Sequence, residues 1–193
     1  MRPIQVAVGA TGASPWIAVD YQSAPFGIGG RVALGGTTGS SGATATFSVQ
    51  HAFCQMSQPQ SDVTLSRTTT TATLTFRTIT EGGVTTAGQS HGLSTGDAVR
   101  VEGVGAPFDG CYDVATVPSP TQVTYTVANS GLSSNALGST NVWRMYVGNN
   151  PNVSGATGST DFNYGFAPNY IRLNVTAWTA GTAVMVVNQG TQS

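Results

Sequence analysis

From Tyr170 to Gln189 the chain reads YIRLNVTAWTAGTAVMVVNQ. Ile171, Leu173, Val175 and Ala177 alternate with Arg172, Asn174, Thr176 and Trp178, the period of two that marks a half-buried β-strand. Thr179-Ala180-Gly181-Thr182 supplies a turn. Ala183 to Val187 then returns as a nearly continuous run, apolar on both faces, as in a strand covered on both sides. Two such runs about a Gly-bearing connection predict a β-hairpin. A lone hairpin is marginal in water, so this one needs partner strands, and the candidates lie at the N-terminal end.

The same alternation recurs along the chain. Residues 3–8 (PIQVAV), Trp16 to Asp20 and a stretch from Pro25 to Leu34 predict three strands. Gly35 to Gly42 (GGTTGSSG) predicts a loop with no side chains to pack. Ala43 to Phe53 alternates again, with Phe47, Val49 and His51 on one face, and is expected to partner Gly29 to Leu34 across that loop. Residues 55–71 are polar and Thr-rich, a connection that becomes a strand near Val63. Further strands are expected over Leu74 to Ile79, Ala98 to Val101, Gly110 to Val117, Gln122 to Val127 and Asn141 to Val147. Gly148 to Thr160 (GNNPNVSGATGST) reads as a loop too polar to be core. Phe162, Tyr164, Phe166 and Tyr170 then bring four aromatics together, and packing in a core or a subunit contact is the expected use of such a cluster.

Composition fixes the class. Gly (25), Thr, Ser, Ala and Val dominate, strong helix formers are scarce, and no window has helical periodicity, so the chain is all-β. Only 8% of its 193 residues are charged, against about a quarter in typical soluble domains. The seven basic residues are all Arg, and the net charge is -1, which gives neither a nucleic-acid footprint nor attraction to an anionic membrane. No segment has the length of a bilayer span. The opening MRPIQVAVGATG lacks the apolar run and cleavage site of a signal peptide, so the Asn152-Val153-Ser154 and Asn174-Val175-Thr176 sequons carry no weight. Cys54 and Cys111 are expected in different modules, as reduced, small apolar residues.

Residues 72–128 stand apart. They hold five of the eight acidic residues, Glu81, Asp97, Glu102, Asp109 and Asp113, and they are flanked by Thr-rich residues before and NSGLSSNALGST after. Within them Gly96-Asp97 and Asp109-Gly110 are turn dipeptides, and Val99, Val101, Val114 and Val117 are expected to form one small core. Asp97 and His91 are each expected to bond nearby backbone.

Two stretches carry a resemblance. WIAVDYQSAPFGIGGRVAL and TATFSVQHAF, with APNYIRLNVTAWTAGTAVMVVNQG, resemble small all-β structural proteins of tailed bacteriophages, found as capsid decoration or other accessory virion proteins. HGLSTGDAVRVEG followed by FDGCYDV is similar to a short β module of phage tail-fibre and other virion surface proteins, with Asp109-Gly110 where Asn-Gly is commoner. The resemblance implies a β-sandwich, jelly-roll-like and often trimeric, built from both chain ends. Residues 1–71 plus 141–193 would form its body, 72–128 an inserted module and 129–140 a linker. It also implies a virion protein on the outer capsid surface, with the major capsid protein as its partner and a homo-trimer as its assembly.

Chemistry finds little purchase. Only His51 and His91 could serve a nucleophile triad, and no Gly-x-Ser-x-Gly elbow accompanies either. Glu81 and Glu102 sit beside turns with nothing to make them a glycosidase pair. The Gly-rich run GIGGRVALGG lacks a Lys and a following helix, so phosphate binding is not expected. His91 and Asp97 lack a third metal ligand. No catalytic, cofactor or metal site is therefore assigned, and the chain is not expected to be an enzyme. The expectation is a capsid decoration or cement protein. The alternative is a neck, head-fibre or tail-fibre component that binds host glycans through Trp143, Tyr146 and Trp178. The loops around Phe108 and Asn149 to Gly158 are expected to be exposed, with the terminal strands making contacts.

Overall fold

The computed structural model describes residues 3–19, 26–35, 44–54, 63–79, 85–86, 88, 90–128 and 135–191. In chain order the strands are β1 (Ile4–Val8), β2 (Gly12–Ala13), β3 (Ile17–Ala18), β4 (Phe26–Gly35), β5 (Ala45–Cys54) and β6 (Val63–Thr68). They continue with β7 (Thr71–Phe76), β8 (Thr78–Ile79), β9 (Thr85–Thr86), β10 (Ala98–Glu102), β11 (Gly110–Asp113) and β12 (Thr116–Ser119). The last are β13 (Gln122–Thr126), β14 (Asn135–Asn149), β15 (Thr160–Tyr164), β16 (Tyr170–Trp178) and β17 (Thr182–Thr191). A single 3₁₀ turn, Pro151–Val153, is the one helical element among the described residues.

The chain divides into two compact units, Met1–Phe53 with Val147–Ser193, and Cys54–Tyr146. In the first, β1-β17-β4-β15 form one antiparallel sheet, and β2 and β3 border β16, which borders β5, which borders the end of β14. With β2 and β3 as halves of one broken edge strand, eight strands follow in chain order. The first pairs with the eighth, the second with the seventh, the third with the sixth and the fourth with the fifth. That nested pairing, split over two sheets, is a jelly roll. Val32, Ala183, Met185 and Val187 of one sheet and Phe47, Val49, Ile171, Leu173 and Val175 of the other belong to one buried cluster, so the sheets are the two layers of a sandwich. The chain ends close it, with Ile4 opposite Val187.

Two expected hairpins are sheet crossings. β16 pairs with β5, whereas β17 pairs with β1 and β4, so the turn at Thr179 to Gly181 carries the chain from one sheet to the other. β4 and β5 likewise lie in opposite sheets instead of partnering. The alternation of apolar residues fixes which face of a strand is buried, and it is silent on which strand lies alongside.

The inserted unit is built from neighbours. β6 and β7 form a hairpin across Thr69-Thr70, with Thr69 at φ 46°, and β12–β13 and β10–β11 also pair in sequence. These join through β13–β7, β6–β14 and β14–β10 into one unclosed sheet, with Leu65, Leu74, Val99, Val101, Val114, Val123 and Tyr125 in one buried cluster.

The boundaries differ from those expected. β6 falls in the inserted unit because it pairs with β7 along its length, and residues 135–140, expected as linker, are the start of β14. Cys54 falls within the same unit as Cys111, and the two are not joined by a disulfide. The expected strand at Trp16 to Asp20 shrinks to Ile17–Ala18. The run expected over Gly110 to Val117 splits at Val114-Ala115, whose backbone N–H groups turn to Asp97 and Thr124. Val117 is consequently exposed and absent from the small core that Val99, Val101 and Val114 share. The GGTTGSSG loop from residue 36 onward, residues 55–62, Glu81 to Gly83 and 129–134 lie outside the described residues.

Candidate functional site

The most distinctive surface of the jelly roll is an aromatic patch around His51. Residues 162, 164 and 166 alternate along and past β15, which turns Phe162 and Tyr164 into the sandwich and leaves Phe166 at its edge, 44% exposed. β5 brings His51 and Phe53 alongside. The His51 ring meets Phe53, Tyr164 and Phe166 edge-on, at centroid distances of 5.6, 5.5 and 5.1 Å, and Phe53 lies 5.8 Å from Phe166. Such edge-to-face contacts are worth about 0.5–1.5 kcal/mol each beyond their burial.

His51 shares the apolar face of its strand, yet its ring is not satisfied. Its Nδ1 is buried with no hydrogen-bond partner among the described residues, and burial lowers its pKa below the ordinary 6.5. The neutral ring is the form that this site stabilises. Gly148 makes room for it, since a β-carbon there would stand 2.8 Å from His51 Nε2. Tyr164 keeps its hydroxyl inside without a partner of regular geometry. Burial raises its pKa to about 12, with Asn150 pulling the other way. Tyr170, expected in this cluster, instead opens β16 half-buried opposite Ala52.

The loop expected to be wholly exposed supplies part of the frame. Asn150 is 1% exposed: its Oδ1 accepts from Asn152 N at 3.0 Å, and its Nδ2 donates to Asn163 O at 2.9 Å. Val153 is fully buried in the sandwich core. An Asn before Pro-Asn is a capping signal, and it was legible in the sequence.

In the inserted unit the charged residues hold loops. Asp97 Oδ2 accepts from Ser94 N and from Arg144 Nη2, each at 2.9 Å. His91 Nδ1 accepts from Leu93 N at 2.9 Å, and its Nε2 lies 3.1 Å from Ser119 O, so both ring nitrogens face backbone. Asp109 clamps the 103–109 loop by accepting from Gly103 N and Val104 N at 3.1 and 3.0 Å. Phe108 near the end of that loop is buried, with Arg67 over its ring at 5.3 Å, although Ala106 and Asp109 beside it are exposed. Glu102 pairs with Arg100 on the same strand; Glu81 lies outside the described residues. No group of three or more His, Cys, Asp or Glu side chains able to hold a metal occurs among the described residues.

The three aromatics of the glycan alternative are not gathered. Trp143 is half-buried against Arg100, and Tyr146, 52% exposed, lies three residues on along the same strand and therefore on its other face. Trp178 is in the first unit, its Nε1 bonded to Gly181 O at 3.1 Å, as an aromatic packed on its own turn. A shallow cleft of about 150 Å³ opens near it, lined by Thr44, Ala45, Thr46, Thr157, Ala177 and Thr179. No family model, curated protein or solved structure matches this chain.

Proposed function

We propose that this chain is a structural protein of a tailed-bacteriophage virion that decorates or cements the capsid by binding across major capsid protein subunits as a homo-trimer. One observation carries the reading: a jelly roll closed by the two chain ends, with a separate β unit inserted between its fourth and fifth strands. That is the organisation the bacteriophage resemblance implies. The fourth and fifth strands are neighbours, so an insertion there leaves and re-enters the sandwich at adjacent points and costs its core nothing. Stabilisation of a shell by such a protein is mass action, since a ligand that binds only the assembled form favours it. Few charges and the exposed Phe53 and Phe166 suit broad apolar contact.

A second reading, a neck, head-fibre or tail-fibre component that binds host glycans, draws on the exposure of Tyr146 and on the use of jelly rolls by lectins as well as capsids. The copy number of the chain in purified particles separates the two. A number comparable to that of the major capsid protein is the expected result. A far smaller one moves the chain to a neck, tail or fibre and favours the second reading. Absence from particles overturns both.

A further inference from the structure

One charged side chain of the inserted unit is buried with nothing to bond. Val63, Leu65 and Arg67 share the inner face of β6, and Arg67, 8% exposed, stands in one row with Ala72 of β7 and Tyr125 of β13. Its Nε and Nη1 are shut off from solvent and have no hydrogen-bond partner among the described residues. An arginine keeps its charge when buried, and the face of Phe108, 5.3 Å away, offsets only part of what an unpaired charge costs there. Asp97, Glu102 and Asp109 are engaged elsewhere, with Arg144, with Arg100 and with the N–H groups of Gly103 and Val104. The residue that covers the guanidinium belongs to a surface loop. In residues 103–109 Gly103, Gly105, Ala106 and Asp109 are exposed, and Gly103 and Gly105 take φ of 103° and 95°, a region that favours glycine. Two hydroxyls tie the loop down: Tyr125 Oη donates to Phe108 O at 3.2 Å, and Tyr112 Oη to Pro107 O at 2.5 Å.

We propose that the 103–109 loop is a lid over an oxyanion site whose anchor is Arg67. With the lid down, Phe108 covers the guanidinium and nothing from solvent reaches Nε or Nη1. With the lid raised, the planar fork of N–H groups takes a carboxylate or a phosphate, two bonds at a time. The closed form gains the burial of Phe108 and the open form gains a partner for Arg67, so the two oppose one another. An anion that binds only the open form shifts the population toward it. The site lies wholly within the inserted unit and does not rest on the virion reading.

Titration of the full chain with sodium phosphate and, in parallel, with sodium acetate, each against sodium chloride at equal ionic strength, tests it by NMR. The Nε–H signal of Arg67, assigned by its loss in Arg67→Met, should shift saturably with at least one of the two. Whichever binds tighter tells a phosphate from a carboxylate. In thermal melts the same anion should raise the transition of the wild type and leave that of Arg67→Met where chloride leaves it. Replacing a buried unpaired charge with Met should not impair folding, and Arg67→Gln serves in its place if it does. Gly105→Ala distinguishes a lid from a static site. A β-carbon there meets nothing within 4 Å and adds no charge, but it strains the closed loop at its φ of 95°. The variant should therefore bind the anion about threefold or more tighter than the wild type. An Arg67 signal indifferent to both anions, an Arg67→Met chain that responds as the wild type does, or a Gly105→Ala chain that binds no tighter overturns the proposal.

Discussion

The two units reach the same secondary structure by opposite routes. In the jelly roll no strand pairs with its immediate successor across a tight turn. β1 waits for β17 and β4 for β15 and β17, and both apparent hairpins are crossings between sheets. In the inserted unit β6–β7, β10–β11 and β12–β13 pair locally, and the distant pairings follow from those hairpins. The lesson concerns loop closure. Non-local pairing must meet its entropy cost before any contact rewards it, so a unit of local hairpins folds faster than a jelly roll of the same stability.

Substitutions in the two cores test the comparison most forcefully. Leu173→Ala in the jelly roll and Leu74→Ala in the inserted unit each empty a fully buried position and should cost about 2–5 kcal/mol. In calorimetry each should lower the transition of its own unit and leave the other in place. A single transition that moves alike for both would show that the units unfold as one. Stopped-flow refolding should return the near-ultraviolet signal of Tyr125 in the inserted unit before that of the jelly roll.

A smaller loss, about 1–3 kcal/mol, is expected for Gly30→Ala. A β-carbon at Gly30 would stand 2.3 Å from Val186 O and 2.6 Å from Phe162 Cζ, so either β17 or the ring must shift. The melt of the jelly roll reports it. Asp109→Ala removes the acceptor of two backbone N–H groups in the inserted unit and should cost about 1 kcal/mol there, again by thermal melt.

Acidification should give the smallest effect, confined to the jelly roll. Burial holds the folded-state pKa of His51 below the ordinary 6.5, so the unfolded chain binds the proton more readily. The stability that His51 contributes is present in full above that value and declines as the pH falls through it toward the folded-state pKa. Comparing melts of wild type and His51→Phe across this range checks it: the variant should lose that part of the slope, and an unchanged slope would place its origin elsewhere.

Much of the candidate surface was open to sequence reading, and its closure was not. The alternation at Phe162, Tyr164 and Phe166, and the place of His51 beyond Phe47 and Val49, marked the aromatic side chains. Gly148 completes the patch only because the end of β14 lies beside β5, and no local pattern carries that adjacency. Gly148 looked like one more loop glycine; its role depends on a ring that approaches from another strand.

What the sequence determined by itself was the all-β class, the general run of strands and turns and most of the buried faces. Those are consequences of a two-residue period, of turn chemistry and of composition, all of which act over a few neighbours. Tertiary structure alone decided which strands pair, that the Thr179 to Gly181 turn changes sheets, and that Val153 belongs to the core. Each of these depends on contacts between residues far apart in the chain, and burial rewards any apolar strand face equally until the whole sandwich selects its neighbour.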